Sequence, residues 1–273
     1  MTRRNPLLQR GFTLIELVMV IVILGALGGI VAVWMRGPID AYFASVRRAA
    51  LTDIADTTVR RVGRDLRTSL PNSVRTSGTT CLEFIPTKTG GRYRQSGTGA
   101  LDFSAAPTSF NMLGSNAALP ADQQIRQNDV VVVYNLGITG SNAYNDDNTA
   151  VISAAPMEAG TPAETTISLT RATRFPLASG SSRFHIVPSN ELMVAYVCNA
   201  GTGELRRTVS ATLSVAPTCL ATGPVIASNV SSCNFNYSSS DLQRNALVSM
   251  SLQLTNAGET VSLQHEVHVG NTP

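Results

Sequence analysis

The stretch RGFTLIELVMVIVILGALGGIVAVWM, residues 10–35, decides the reading of this chain. From Leu17 to Met35 it runs nineteen residues without a charge, roughly 28 Å as a helix at about 1.5 Å per residue and close to the bilayer's hydrocarbon thickness of about 30 Å. Such a segment spans a membrane. Arg3, Arg4 and Arg10 precede it with no acidic residue among them, so the positive-inside rule places the N-terminus in the cytoplasm and the bulk of the chain outside. A secretory signal peptide has a shorter apolar region, ends in a small-residue cleavage site and is lost on maturation. Here the small residue, Gly11, comes before the apolar run, which opens with Phe12, Thr13, Leu14, Ile15 and a lone acid, Glu16. Cutting after Gly11 keeps the apolar helix. An ionised side chain within a membrane costs on the order of 3 kcal/mol at depth, which makes Glu16 a candidate functional group. A first-turn carboxylate is also favoured by the helix dipole and sits near the headgroups.

The segment RGFTLIELVMVIVILGAL resembles the leader and anchor of type IV prepilins and type II secretion pseudopilins. The resemblance implies cleavage after Gly11 by a prepilin peptidase, N-methylation of the new first residue Phe12, and pairing of the Glu16 carboxylate with the amine of a neighbouring subunit during assembly. It also implies other major and minor pilin or pseudopilin subunits and an inner-membrane assembly platform as partners. The expected location is the bacterial inner membrane, crossed once, with the body in the periplasm, and then a fibre.

Beyond the apolar run, Arg36, Gly37, Pro38 and Ile39 interrupt it, and the missing proline N–H predicts a kink or short break. From Asp40 to Leu70, apolar Phe43, Val46, Ala50, Ile54, Val59, Val62, Leu66 and Leu70 recur at helical spacing and call for a sheet to cover them. Arginines fill much of the rest. Asp53, Asp56 and Asp65 are interleaved with them, and Asp56 with Arg60 forms an i,i+4 pair, which describes a solvated helix face rather than a nucleic-acid or lipid patch.

After residue 72, serine, threonine, glycine and asparagine are plentiful and aromatics make up only 5% of the chain, a mix that favours strands and turns over a helical bundle. Val248, Met250, Leu252 and Leu254 alternate with polar residues, Asn256, Ala257 and Gly258 supply a turn, and Val261, Leu263, Val267 and Val269 resume the period of two. Further strands are expected at 81–85, 101–103, 130–134, 166–169, 184–187, 192–197 and 204–207, with long polar connections at 86–100, 135–150 and 208–232. The expected fold class is α+β and pilin-like, a long N-terminal helix packed on an antiparallel β-sheet body. Its expected parts are a leader (1–11), a transmembrane and assembly helix (12–35), an amphipathic continuation (36–71) and a periplasmic β-rich domain (72–273).

Cys81, Cys198, Cys219 and Cys233 all lie on the side where disulfides persist. Three connectivities exist; closure of a local loop favours Cys198 with Cys219, leaving Cys81 with Cys233, at typically about 3 kcal/mol each.

Little else carries chemistry. Setting aside Arg3, Arg4 and Arg10, the basic residues equal the 18 acidic ones, so no basic domain argues for a nucleic-acid partner. His265 and His268 fall on opposite faces of the last strand and His185 stands alone near Arg183, so no metal is expected at them. Asn145, Asp146, Asp147 and Asn148 offer hard oxygen ligands that suit calcium in principle, but without the ligand spacing of an EF-hand. Gly97-Thr98-Gly99 and Gly201-Thr202-Gly203 read as turns, not as a dinucleotide fingerprint. With no nucleophile elbow, P-loop or paired carboxylates, neither an enzyme nor a cofactor is expected.

LPNSVR (70–75), CLEFIP (81–86), GGRYR (90–94), VVVYNLGI (131–138) and HEVHVGNTP (265–273) together resemble the minor pilin-like subunits of the mannose-sensitive haemagglutinin (MSHA) type IV pilus system. That resemblance implies a low-abundance subunit that initiates or caps the fibre. The alternatives are a J-type minor pseudopilin of a type II secretion system and, in another class, a binding module tethered by an uncleaved helix.

Overall fold

The computed structural model describes residues 11–159, 163–171, 174–238 and 245–273. The chain divides into two compact units, residues 1–50 and 51–273. Two helices open it, α1 (Leu14–Trp34) and α2 (Arg36–Arg67). Pro38 has no N–H to offer the Trp34 carbonyl, and the break is confined to Met35, which keeps right-handed helical angles; the Ile39 N–H then donates to the Met35 carbonyl at 3.2 Å.

Fifteen strands follow among the described residues: β1 (Arg75–Ser77), β2 (Cys81–Phe84), β3 (Thr89–Arg92), β4 (Ser109–Leu113), β5 (Val130–Val133), β6 (Thr149–Ile152), β7 (Met157–Ala159), β8 (Glu164–Thr170), β9 (Arg183–Val187), β10 (Met193–Asn199), β11 (Glu204–Ser210), β12 (Val225–Ser228), β13 (Val230–Ser238), β14 (Asn245–Asn256) and β15 (Glu259–Gly270). They form three antiparallel sheets, in the orders β1-β2-β10-β11-β12, β13-β14-β15 and β3-β9-β5-β6-β8-β4, with β7 paired to β8. The architecture is α+β and pilin-like, helix on antiparallel sheet.

The covering of the helix begins at Leu51. Leu51, Ala55, Val59, Val62 and Leu66 are buried together with Leu82, Phe84, Tyr196 and Leu205 of the first sheet and Phe235, Met250, Leu252 and Val267 of the second. Each large aliphatic side chain so buried contributes about 1.5–3 kcal/mol. Gly63 lets the helix approach closely, since an added Cβ would lie 3.1 Å from His265 Nε2 and 3.3 Å from Val267 Cγ2. Phe43 and Val46, expected on the same stripe, belong to the other unit and are exposed there. Asp65, expected on a solvated face, accepts hydrogen bonds from the Tyr196 hydroxyl at 2.7 Å and Arg207 Nε at 2.8 Å, and Arg207 also pairs with Glu191.

The third sheet encloses its own core, in which Phe110, Ile152, Ile167, Phe175, Phe184 and Ile186 are fully buried. An isolated bridge between Tyr93 and Met112, and a bond from the Arg94 N–H to the Asn111 carbonyl, bring the β3 and β4 ends of the sheet together. Leu101 to Phe103, expected as a strand, is irregular; Leu101 is buried in this core and Phe103 packs against it, so burial and not backbone pairing uses those side chains. The connections expected at 86–100 and 208–232 contain β3, β12 and the start of β13, and β6 opens at the end of 135–150. Thr89–Arg92, with two central glycines, has no β-branched run to announce it and forms by pairing with β9.

Alternation on the first sheet decides the cysteines. Cys81 lies opposite Val197 in the β2–β10 register, so Cys198 points to the other face. On the helix face Leu82, Phe84, Tyr196 and Cys198 enter the core, and Cys198 bonds Cys233 of β13. On the far face Cys81 bonds Cys219, and the segment carrying Cys219 lies over Glu83. The expected pairs, Cys198–Cys219 and Cys81–Cys233, are therefore replaced by Cys81–Cys219 and Cys198–Cys233, because the sheet separates the partners that loop length favoured.

Fully buried Glu83 pairs with Arg75 and accepts from the Thr218 N–H and hydroxyl at 3.2 Å each. Arg75 donates onward to the Ser214 and Val215 carbonyls at 2.8 and 2.7 Å, which fastens residues 214–218 to the sheet. Peptide mapping of the oxidised protein under non-reducing conditions should recover peptides linked through Cys81–Cys219 and Cys198–Cys233. Recovery of a Cys198–Cys219 link would overturn the face assignment.

Candidate functional site: the N-terminal processing and assembly segment

The described chain begins at Gly11, immediately ahead of α1. An added Cβ there would meet nothing within 4 Å, so the fold itself makes no demand for glycine. Phe12 is 83% exposed, and every side chain of α1 is unburied. A helix apolar on every side is stable only in lipid or against other helices.

Thr13 caps this helix. Its extended backbone lets Oγ1 accept from the Glu16 N–H at 3.3 Å, while Glu16 Oε2 accepts from the Thr13 N–H at 3.3 Å and its hydroxyl at 3.2 Å. This reciprocal capping box satisfies two of the N–H groups that a helix start leaves without partners. Glu16 therefore begins the helix as well as charging it. Thr13 is the residue that sequence reasoning passed over. Its signal was present as threonine followed three places later by glutamate at the head of an apolar run.

Among the described residues, no group of three or more His, Cys, Asp or Glu side chains is placed to hold a metal ion. His265 lies on the face of β15 that also carries buried Val267 and Val269, and His268 on the opposite, exposed face. In the 145–148 loop, Asp147 Oδ2 accepts from the Gly140 N–H at 3.0 Å and the Asn142 N–H at 3.3 Å, and Asp146 accepts from the Thr149 hydroxyl. Arg171 donates to the Asp147 carbonyl at 2.6 Å and to the Thr149 carbonyl. Burial pushes the Asp146 carboxyl up, with the Arg171 guanidinium pulling it down. Arg171 thus brings a guanidinium to this loop, and one carboxylate oxygen of each aspartate is engaged within it.

The chain matches a family described as the prokaryotic N-terminal methylation motif over residues 7–32. No curated protein and no solved structure matches it. The motif supports a type IV pilin-like or pseudopilin-like subunit and indicates a structural subunit, not an enzyme; it implies processing by a prepilin peptidase and assembly with other pilins. Together with the apolar α1 it fits a membrane-anchored pilin.

His185 of β9 provides a pH test of the body. Burial, with the nearby Arg183 charge, lowers its pKa to about 4, so the folded protein holds it neutral. Below the unfolded value of about 6.5 the unfolded chain takes up the proton first, and stability is lost as pH falls from there towards 4. Urea midpoints measured between pH 7 and pH 4 should fall less steeply for His185→Gln than for the parent protein. Parallel slopes would show that His185 carries no such linkage.

Proposed function

We propose that this chain is a minor subunit of an MSHA-type type IV pilus, similar to the pilin-like protein MshO, which initiates or caps the fibre. The single observation that carries the fibre reading is the order of the N-terminal segment: Gly11, then Phe12, then the Thr13–Glu16 box opening an uncleaved apolar helix. The body segments that resemble MSHA minor subunits, from LPNSVR to HEVHVGNTP, support the narrower reading. In it, residues 1–11 are the leader, 12–35 the transmembrane and assembly helix, 36–71 its amphipathic continuation and 72–273 the periplasmic domain. The N-terminus is cytoplasmic before processing, and the protein enters the fibre from the inner-membrane assembly platform.

Cleavage after Gly11 frees the amine of Phe12, which is then methylated, one helical turn from Glu16. The helix also opens with Thr13, which takes part of the carboxylate's hydrogen bonding, while the amine of a neighbouring subunit supplies the opposite charge. An unpaired carboxylate moving with the helix costs on the order of 3 kcal/mol at membrane depth, so pairing favours the assembled state.

Gly11→Val should leave the leader attached, seen as an unshifted intact mass, and Glu16→Ala should be cleaved normally yet be missing from sheared fibres while accumulating in membranes. Normal amounts of Glu16→Ala in the fibres would remove its assembly role, and an intact mass showing the leader still attached to the parent protein would favour the tethered binding module. The MSHA reading itself rests on counting surface pili in a strain lacking the gene. Loss restored by a plasmid copy supports it, and unchanged pili favour the J-type secretion pseudopilin.

A further inference from the structure

β15 is twelve residues long and, among the described residues, pairs only with β14. The two strands join through Ala257 and Gly258, both in the left-handed region (φ 48° and 84°), with Asn256 opposite Glu259. That is a two-residue type I′ turn, whose closing pair exchanges hydrogen bonds. Alternation then commits the backbone of residues 261, 263, 265, 267 and 269 to β14 and turns the N–H and C=O groups of Thr260, Ser262, Gln264, Glu266 and His268 outward. No described strand occupies that edge. Of the devices that blunt edges, β15 has no proline, no lysine and no shift of register along its pairing with β14; its charges are Glu259 at the turn and Glu266 on the face opposite His265.

A helix face borders the edge. Arg60, Arg64 and Arg67 of α2, with Leu263 and His265 of β15, line a groove of about 460 Å³. Asp56 lies in the groove as well, ion-paired to Arg60 at 2.7 Å. The basic residues rise along the helix by about 4.5–6 Å per step, and alternate side chains of an extended strand by about 6.7 Å.

We propose that this groove receives an extended acidic segment of a neighbouring fibre subunit, which adds to β15 as a further strand and sets alternate carboxylates against Arg64 and Arg67. The identity of the partner as a fibre subunit rests on the function proposed above; the groove does not. Charge selects against a second copy of this chain. Antiparallel pairing of β15 with β15 about a two-fold axis would bring two basic helix stripes together across the seam.

The test uses the full chain in detergent micelles and a labelled decapeptide of alternating Glu and Thr, followed by fluorescence anisotropy. Saturable binding is expected, weakened by salt and reduced at least about tenfold in Arg64→Glu/Arg67→Glu and, more mildly, in Arg64→Gln/Arg67→Gln. Two further peptides, N-methylated at every Thr or at every Glu, leave the protein untouched. One of them should lose binding, the Thr set for antiparallel addition and the Glu set for parallel. No binding of the plain peptide, or binding indifferent to the arginines, overturns the proposal. Retention of both methylated peptides overturns strand addition, and their displacement by phosphatidylglycerol vesicles would then assign the stripe to anionic lipid. Binding is read on the purified chain, and the fibre reading on processing and pili, so each can fail without the other.

Discussion

Burial of one face of α2 from Leu51 to Leu66 is the interaction on which the second unit depends. A single stripe of helix touches two sheets at once. Leu82, Phe84, Tyr196 and Leu205 come from one, and Phe235, Met250, Leu252 and Val267 from the other. The helix gives both sheets a common apolar inner face. Asp65 reinforces the same contact in polar form, because its bonds to Tyr196 and Arg207 join the helix to two adjacent strands of the first sheet.

The two faces of the first sheet then divide the labour. The helix face is apolar and closes with the Cys198–Cys233 link to β13. The far face buries a charge, Glu83, satisfied by Arg75 and Thr218, and closes with Cys81–Cys219. Removing one partner of such a buried ion pair strands the other, typically at about 3–5 kcal/mol, so the segment over this face is held by more than its disulfide. A stretch that composition alone presents as a long polar loop is in this way part of the packed body.

The functional segment has a different physical logic. Nothing in the described chain surrounds Gly11 or buries the side chains of α1, so the packing of the described body places no demand on this segment. Such a motif is legible in sequence because its signal is local: a glycine, a capping box and an apolar run lie within consecutive residues. The same holds for the β14–β15 hairpin, where alternation and turn residues are adjacent. Elements whose formation depends on distant partners were not legible. β3 carries two central glycines and exists through β9, and Leu101 is buried without becoming a strand.

By itself, the sequence determined the apolar first helix, the motif that opens it, the amphipathic helix that follows and the antiparallel character of the body, all consequences of short-range pattern. Only the tertiary structure decided which cysteines meet, because that depends on which face of a sheet each one occupies and on what covers that face. It also decided that Asp65 turns inward while Arg60, Arg64 and Arg67 line a groove beside an open strand edge. The physical reason is range: periodicity within a helix or strand is fixed by backbone geometry over a few residues, whereas the register and covering of sheets depend on contacts between residues far apart in the chain.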